Sequence, residues 1–81
     1  MANQWMITDD FIDDGLNNGR KSIGFKSGKE MKVRFRIYDD DGILYFAGVS
    51  ERHDFHPLDD FAVSYGCTML KTKVSGSWQV L

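Results

Sequence analysis

The segment that most constrains the fold runs from Lys32 to Val49 and reads KVRFRIYDDDGILYFAGV. Its first half alternates polar and apolar side chains with the period of two that a half-buried β-strand requires. Asp41-Gly42 then separates two runs of strand-forming residues, which predicts a β-hairpin with a two-residue type I′ turn. The cross-strand pairs that follow from this turn are Tyr38 with Tyr45, Ile37 with Phe46, and Phe35 with Gly48, where a large ring covers a residue without a side chain.

The other elements follow from similar signals. Pro57 suits the first position of a helix, the apolar residues after it recur at helical spacing, and Gly66 suits the helix end. The last segment alternates around Ser75-Gly76, which predicts a second hairpin, and we expect Trp78 and Val80 to return to the core. A short strand near Trp5 completes the set. The predicted fold is α+β: a small antiparallel sheet of four to five strands with one short helix packed on one face.

The composition predicts one domain that spans residues 1–81. The chain is 42% hydrophobic and 14% aromatic, and a core of this size buries only about 60–65% of the unfolded surface. A partner or a second copy would therefore add stability, so a homodimer is an open alternative. Four glycines and two adjacent asparagines predict a flexible loop at about residues 13–30.

Charge and cysteine content bear on the compartment and the partner. The net charge of −2 disfavours nucleic-acid binding by bulk positive charge but leaves a local basic face open. Cys67 is the only cysteine, so no intramolecular disulfide can form. The start of the chain lacks the apolar run of a signal peptide, and no stretch approaches the roughly 20 apolar residues of a membrane span. We expect a cytoplasmic protein that does not bind a membrane.

Two patterns that look like ligand loops fail on spacing. A calcium loop with Gly42 in sixth place would have Ile37 first and Gly48 twelfth, so two essential carboxylates would be missing. The glycine-rich segment 24–30 has three residues between its glycines where a phosphate-binding P-loop has four, and Glu30 follows the lysine. We interpret the first as a turn and the second as a loop.

Catalytic chemistry has few candidate residues. His53, His56 and Cys67 are the only imidazole and thiol ligands, with Asp54 near them in sequence, and their spacing matches no familiar zinc pattern. A nucleophilic site would need Cys67 or a serine beside a histidine held by an acid. A domain of this size also has little room for a pocket of about 300 Å³ or more. We predict that the protein is not an enzyme and has no cofactor, and a metal- or cysteine-dependent enzyme ranks third among our hypotheses.

The cations and some of the tyrosines alternate away from the core side of their strands. If those strands are neighbours, they share one sheet face that resembles the basic and aromatic platforms that bind single-stranded nucleic acid. The alternative is a solvated face whose cations pair with acids. The candidates for nucleic-acid binding are Lys32, Arg34, Arg36, Tyr38, Tyr45, Lys71 and Lys73.

The acids cluster as well, at three places in the chain. They could present a negative surface to a basic protein, or they could serve as turn and helix-capping residues. The candidates for protein binding are Asp13, Asp14, Asp39, Asp40, Asp59 and Asp60.

Three stretches, WMITDDFIDDG, RIYDDDGILYFAG and PLDDFAVSYGCTMLKTK, give the chain a resemblance to a group of short bacterial and mobile-element proteins of uncharacterised function. The group shares the YDDDG hairpin, the LDDF helix start and the GCT step, and no functional residue can be carried over from it. Small acidic proteins of phages and plasmids, anti-CRISPR inhibitors among them, often act by occluding a host protein. By that analogy the leading hypothesis is a non-catalytic protein-binding module, an inhibitor or adaptor. The alternative is single-stranded nucleic-acid binding.

Overall fold

The computed structural model describes residues 4–26 and 30–81. The elements in chain order are β1 (Trp5–Asp10), β2 (Val33–Asp39), β3 (Leu44–Ser50), α1 (His56–Tyr65), β4 (Cys67–Val74) and β5 (Ser77–Val80). All five strands pair antiparallel in one sheet with the order β1-β3-β2-β4-β5. The helix covers one face of this sheet, so the predicted α+β fold is confirmed. Within the described residues, no helix has the length and apolar composition needed to cross a membrane.

Aromatic rings make up much of the core between the sheet and the helix. The rings of Phe46 and Phe61 lie 4.4 Å apart between centroids, and Trp5 contacts Phe61 at 5.9 Å. Packing of this kind lets a small domain bury large apolar area with few residues. The buried cluster comprises Trp5, Ile7, Phe35, Ile37, Phe46, Leu58, Phe61, Cys67 and Leu70. Among the residues that the structure describes, no helix lies on the opposite side of the sheet, which we call the open face.

The turn between β2 and β3 is one residue longer than predicted. The Gly42 N–H donates to the Asp39 carbonyl at 3.1 Å, and the Asp39 N–H donates to the Ile43 carbonyl at 3.1 Å. Of the three loop residues only Gly42 has a positive φ, at 77°. The prediction of a type I′ turn, which needs two positive φ values, is therefore wrong, and the loop has the form of a type I turn followed by a left-handed glycine.

The longer turn changes part of the predicted register. Ile37 faces Phe46 and Phe35 faces Gly48, as predicted, but Tyr38 faces Leu44 because Tyr45 occupies a β-bulge. Tyr45 packs against the core cluster, so the prediction that it shares a sheet face with the cations is wrong. A bulge inserts one extra residue and reverses the alternation beyond it.

The hairpin between β4 and β5 has the two-residue type I′ turn that was predicted for the hairpin between β2 and β3. Ser75 and Gly76 both have positive φ, at 50° and 83°, as a two-residue type I′ turn requires. In this register Trp78 pairs with Lys73 and Val80 pairs with Lys71. The prediction that Trp78 and Val80 return to the core is wrong, because cross-strand partners share a face and the lysines lie on the open face.

The helix matches its prediction. Pro57 lies in its first turn, and Gly66 follows its last residue with φ of 68° and donates its N–H to the Ala62 carbonyl at 3.0 Å. A left-handed glycine at this position is a common helix end.

The segment after β1 folds back along the outer edge of that strand. Gly19 donates its N–H to the Ile7 carbonyl at 2.7 Å, and Ile7 donates its own to the Arg20 carbonyl at 2.8 Å. These bonds cover an edge that would otherwise expose unpaired backbone groups. The flexibility predicted for residues 13–30 stays a prediction, and residues 27–29 of that loop lie outside the described residues.

Candidate functional site

The strand order brings the cations of two sequence-distant strands together. β2 and β4 are neighbours in the sheet, and Arg36 lies directly opposite Lys71. The residues that alternate with the core positions therefore meet on the open face. We use the name basic face for Arg34, Arg36, Tyr38, Lys71, Lys73 and Trp78.

Three of the four cations of the basic face lie over aromatic rings. The guanidinium carbon of Arg36 is 4.1 Å from the centroid of Trp78, and the ammonium of Lys73 is 5.8 Å from the same centroid. The Lys71 ammonium is 5.0 Å from the centroid of Tyr38. These are cation–π distances, which orient the side chains without neutralising their charge.

Within the described residues, no carboxylate forms an ion pair with Arg34, Arg36, Lys71 or Lys73. Ion pairs are found elsewhere, for example between Arg20 and Asp60 at 3.6 Å and between Lys32 and Glu30 at 3.5 Å. The structure thus disfavours the alternative in which the cations of this face are neutralised by acids. Lys32, predicted for this face, precedes β2 and has an acidic partner, so it stands apart from the other four.

A groove of about 240 Å³ adjoins the basic face. The short side chains of β3, Ala47 and Val49, and the backbone at Gly48 line it between two sets of larger residues. On the β1 side these are Thr8, Asp9 and Phe11, and toward β2 and β5 they are Arg34, Arg36 and Trp78. The groove is therefore aromatic at both sides, cationic at one and acidic at the other.

The acids proposed for protein binding do not form one surface. Four of them, Asp13, Asp14, Asp39 and Asp40, lie at the end of the sheet where β1 and β2 finish, whereas Asp59 and Asp60 lie near the start of α1. The helix leads from the end of β3 to the start of β4, so its first turn lies toward the opposite end of the sheet.

Several of these acids are held by contacts within the fold. The Asp13 carboxylate accepts a hydrogen bond from the Tyr65 hydroxyl at 2.7 Å, and Asp39 Oδ1 accepts the backbone N–H groups of Asp41 and Ile43 at 2.9 Å each. Asp60 pairs with Arg20. These contacts fit the interpretation of the acids as turn and capping residues.

Asp10 shows the same structural use of an acid. Burial opposes its ionisation, but backbone N–H groups of Asn17, Ile12 and Asp13 and the side-chain amide of Asn17 donate to its carboxylate. These hydrogen bonds outweigh burial and lower the pKa of Asp10 below its ordinary value of 3.8. The turn after β1 thus depends on a charged aspartate.

Exposed apolar side chains accompany the acids at one end. Phe11, Ile12, Leu16 and Ile43 are 56%, 40%, 76% and 54% exposed. They belong to the turn after β1 and to the β2–β3 hairpin, which adjoin because Asp10 pairs with Phe46 on β3. We call this region, with Asp13, Asp14, Asp39 and Asp40, the hairpin end.

The histidines and the cysteine are not brought together. His56 begins the ten-residue helix α1 and Cys67 follows its end, so the length of the helix, about 15 Å, lies between them. His53 Nδ1 contacts the Thr72 hydroxyl at 3.0 Å, and His56 lies 3.4 Å from Asp54. Burial raises the pKa of the Cys67 thiol to about 11. Among the residues that the structure describes, no group of three or more histidine, cysteine or acidic side chains could hold a metal ion.

Sequence reasoning missed two residues of this site. Trp78 was assigned to the core, although the Ser75-Gly76 turn already implied that it faces Lys73. Phe11 was not among the predicted site residues, and no local signal shows that it lines the groove, because a β-bulge between Ile7 and Asp9 changes the alternation of β1.

No family model, curated protein or solved structure matches this chain. The resemblance to short mobile-element proteins therefore stays a prediction.

Proposed function

We propose that the protein is a non-catalytic binding module that holds single-stranded nucleic acid on its open face. The observation that supports this proposal is the set of four cations on β2 and β4 that have no carboxylate partner within the described residues and lie beside Tyr38 and Trp78. Unpaired cations can neutralise phosphates and release condensed counterions. Aromatic side chains beside them can stack on unpaired bases, whatever the base sequence.

The shape of the basic elements favours a single strand over a duplex. Reading of the major groove needs a protruding helix or a two-stranded ribbon. The only helix within the described residues, α1, contains Asp59 and Asp60 and no lysine or arginine. The cations lie instead on a sheet of five strands, about 19 Å from first to last strand axis. Such a surface presents rings and charges to a strand whose bases are already exposed.

The acids define where such a strand can pass. Negative side chains lie toward both ends of the sheet, and the cations occupy its middle, on β2 and β4. Because acids repel phosphates, a strand that crosses the sheet from β5 toward β3, short of Asp9 on β1, meets less repulsion than one that runs along the β-strands. The net charge of −2 then limits binding to this face.

The test is the salt dependence of binding to a labelled, unstructured oligonucleotide, measured by fluorescence anisotropy. If the four cations neutralise four phosphates, a plot of the logarithm of the binding constant against the logarithm of the salt concentration has a slope of about −2.8. Affinity then falls about fiftyfold between 50 and 200 mM salt. Changing Lys71 and Lys73 to Gln should reduce the slope to about −1.4 and the fall in affinity over the same salt range to about sevenfold.

The matched control changes Lys21 and Lys26 to Gln, since both lysines are exposed and lie on the loop after β1. This control alters net charge by the same amount and should leave the slope unchanged. An absence of binding at about 50 mM salt, or equal losses in the two double variants, overturns the proposal.

A second candidate function is protein binding through the hairpin end, as an inhibitor or adaptor. The observation that favours it is the group of exposed apolar side chains flanked by acids, which resembles an interface with an apolar centre and a charged rim. Charge complementarity then indicates a basic partner protein. A basic protein retained by the wild type should be lost on changing Asp14 and Asp40 to Lys and kept on changing Asp59 to Lys. Retention in both variants would contradict this candidate.

A further inference from the structure

We infer that the groove beside the basic face is a base-binding site, which takes one unpaired nucleobase while the neighbouring phosphate lies on the arginines. This inference rests on the proposed function and adds the position of a base to it. The observation that supports it is the lining of the groove, which has aromatic residues on two sides and cations on one.

The size and floor of the groove suit a flat ring. Its volume of about 240 Å³ lies below the roughly 300–1,000 Å³ of ordinary small-molecule pockets. The Cβ position of Gly48 lies on the core side, against Phe35, and the open-face residues on either side of it are Ala47 and Val49, so the floor is low between the aromatic sides. A single planar ring fits such a space better than a whole cofactor does.

The aromatic sides supply stacking surface. Phe11 is 56% exposed, so its ring is accessible from solvent, whereas phenylalanine side chains are more often buried. Trp78 is half-buried under the Arg36 guanidinium. Stacking on such rings is a sequence-tolerant way to hold a base.

The charges of the groove orient the nucleotide. Arg34 and Arg36 lie on the β2 side, and Asp9 lies on the β1 side, where the Thr8 hydroxyl donates to its carboxylate at 3.1 Å. A phosphate is attracted to the first side and repelled from the second. The base therefore lies toward β1 and Phe11, with the backbone of the strand over β2 and β4.

The test compares two probes of equal length and charge: an oligodeoxycytidine and an abasic oligonucleotide that keeps every phosphate. The wild type should bind the abasic probe at least fivefold more weakly, because base stacking is lost. Phe11→Ala should weaken binding of the oligodeoxycytidine by about fivefold or more and leave binding of the abasic probe unchanged. The matched control is Phe55→Ala, since Phe55 is 49% exposed and lies outside the groove; it should change neither affinity.

Tryptophan emission supplies a second readout. Trp5 is 3% exposed in the core, whereas Trp78 lines the groove, so the oligodeoxycytidine should quench emission and Trp78→Phe should abolish the quenching. If both probes bind equally and Phe11→Ala changes neither affinity, the base-binding site is overturned while the proposed function stands. If neither probe binds, both are overturned.

Discussion

Replacing Gly48 by alanine should cost much more stability than its small change in volume suggests. A Cβ atom at Gly48 would lie 2.2 Å from the Met6 carbonyl oxygen and 2.6 Å from Cζ of Phe35. The first contact is with backbone, which cannot rotate away, so β1 must move from β3 or the Gly48 backbone must shift. Overpacking costs about 1–3 kcal/mol, and we expect the upper part of this range because the backbone itself is displaced. For a domain of this size, about 3 kcal/mol corresponds to a fall in Tm of roughly 12–24 °C.

The assay is thermal and urea unfolding followed by circular dichroism, with amide chemical shifts of β1 as a local readout. Gly76→Ala serves as the control, since Gly76 has φ of 83° and a Cβ atom there would meet nothing within 4 Å. The control should lose about 1–2 kcal/mol through backbone strain alone and leave the amide shifts of β1 unchanged. A loss below about 1 kcal/mol for Gly48→Ala, with unshifted β1 amides, would refute the close approach of β1, Gly48 and Phe35.

Three further predictions concern single positions. Gly42→Val should lower Tm far more than Asp40→Ala, because Gly42 has φ of 77° and the Asp40 side chain is exposed; equal Tm values would place the turn elsewhere. Asp10 has a lowered pKa, so its contribution to stability is present above its ordinary value of 3.8 and is lost as pH falls through the lower folded value. When the free energy of unfolding in urea is measured across acidic pH, Asp10→Asn should reduce its fall at low pH. An unchanged dependence on pH would contradict the hydrogen-bonded carboxylate. Cys67 is 2% exposed, and its thiol pKa is raised to about 11, so a thiol reagent at pH 8 should modify it only as fast as the protein unfolds; rapid modification of the native protein would show that the thiol is accessible.

Local signals predicted the elements of this fold well. The helix from Pro57 to Gly66 and the hairpin at Ser75-Gly76 were both identified, since proline, glycine and apolar spacing act within a few residues of one another. The pairing of Phe35 with Gly48 was also correct, because a glycine opposite a large ring is a cross-strand signal that survives a change in the turn.

Side-chain direction was less predictable wherever a bulge intervened. Tyr45 was expected on the basic face and packs against the core, because the turn is one residue longer than its sequence signal implies. Another bulge, between Ile7 and Asp9, has a comparable effect on the direction of Phe11. A shift of one residue moves a side chain to the other face, and an error in a turn therefore becomes an error in the site.

The alternation of residues along β2 and β4 is enough to predict that each strand has one apolar and one cationic side, since that pattern is a property of the strand alone. The adjacency of these cationic sides emerges only in the fold, because the order β1-β3-β2-β4-β5 depends on long-range pairing that no local pattern encodes. The fold also leaves Arg34, Arg36, Lys71 and Lys73 without carboxylate partners within the described residues. Charge pairing depends on distances of a few ångströms between distant parts of the chain, and composition gives only the numbers of acids and bases.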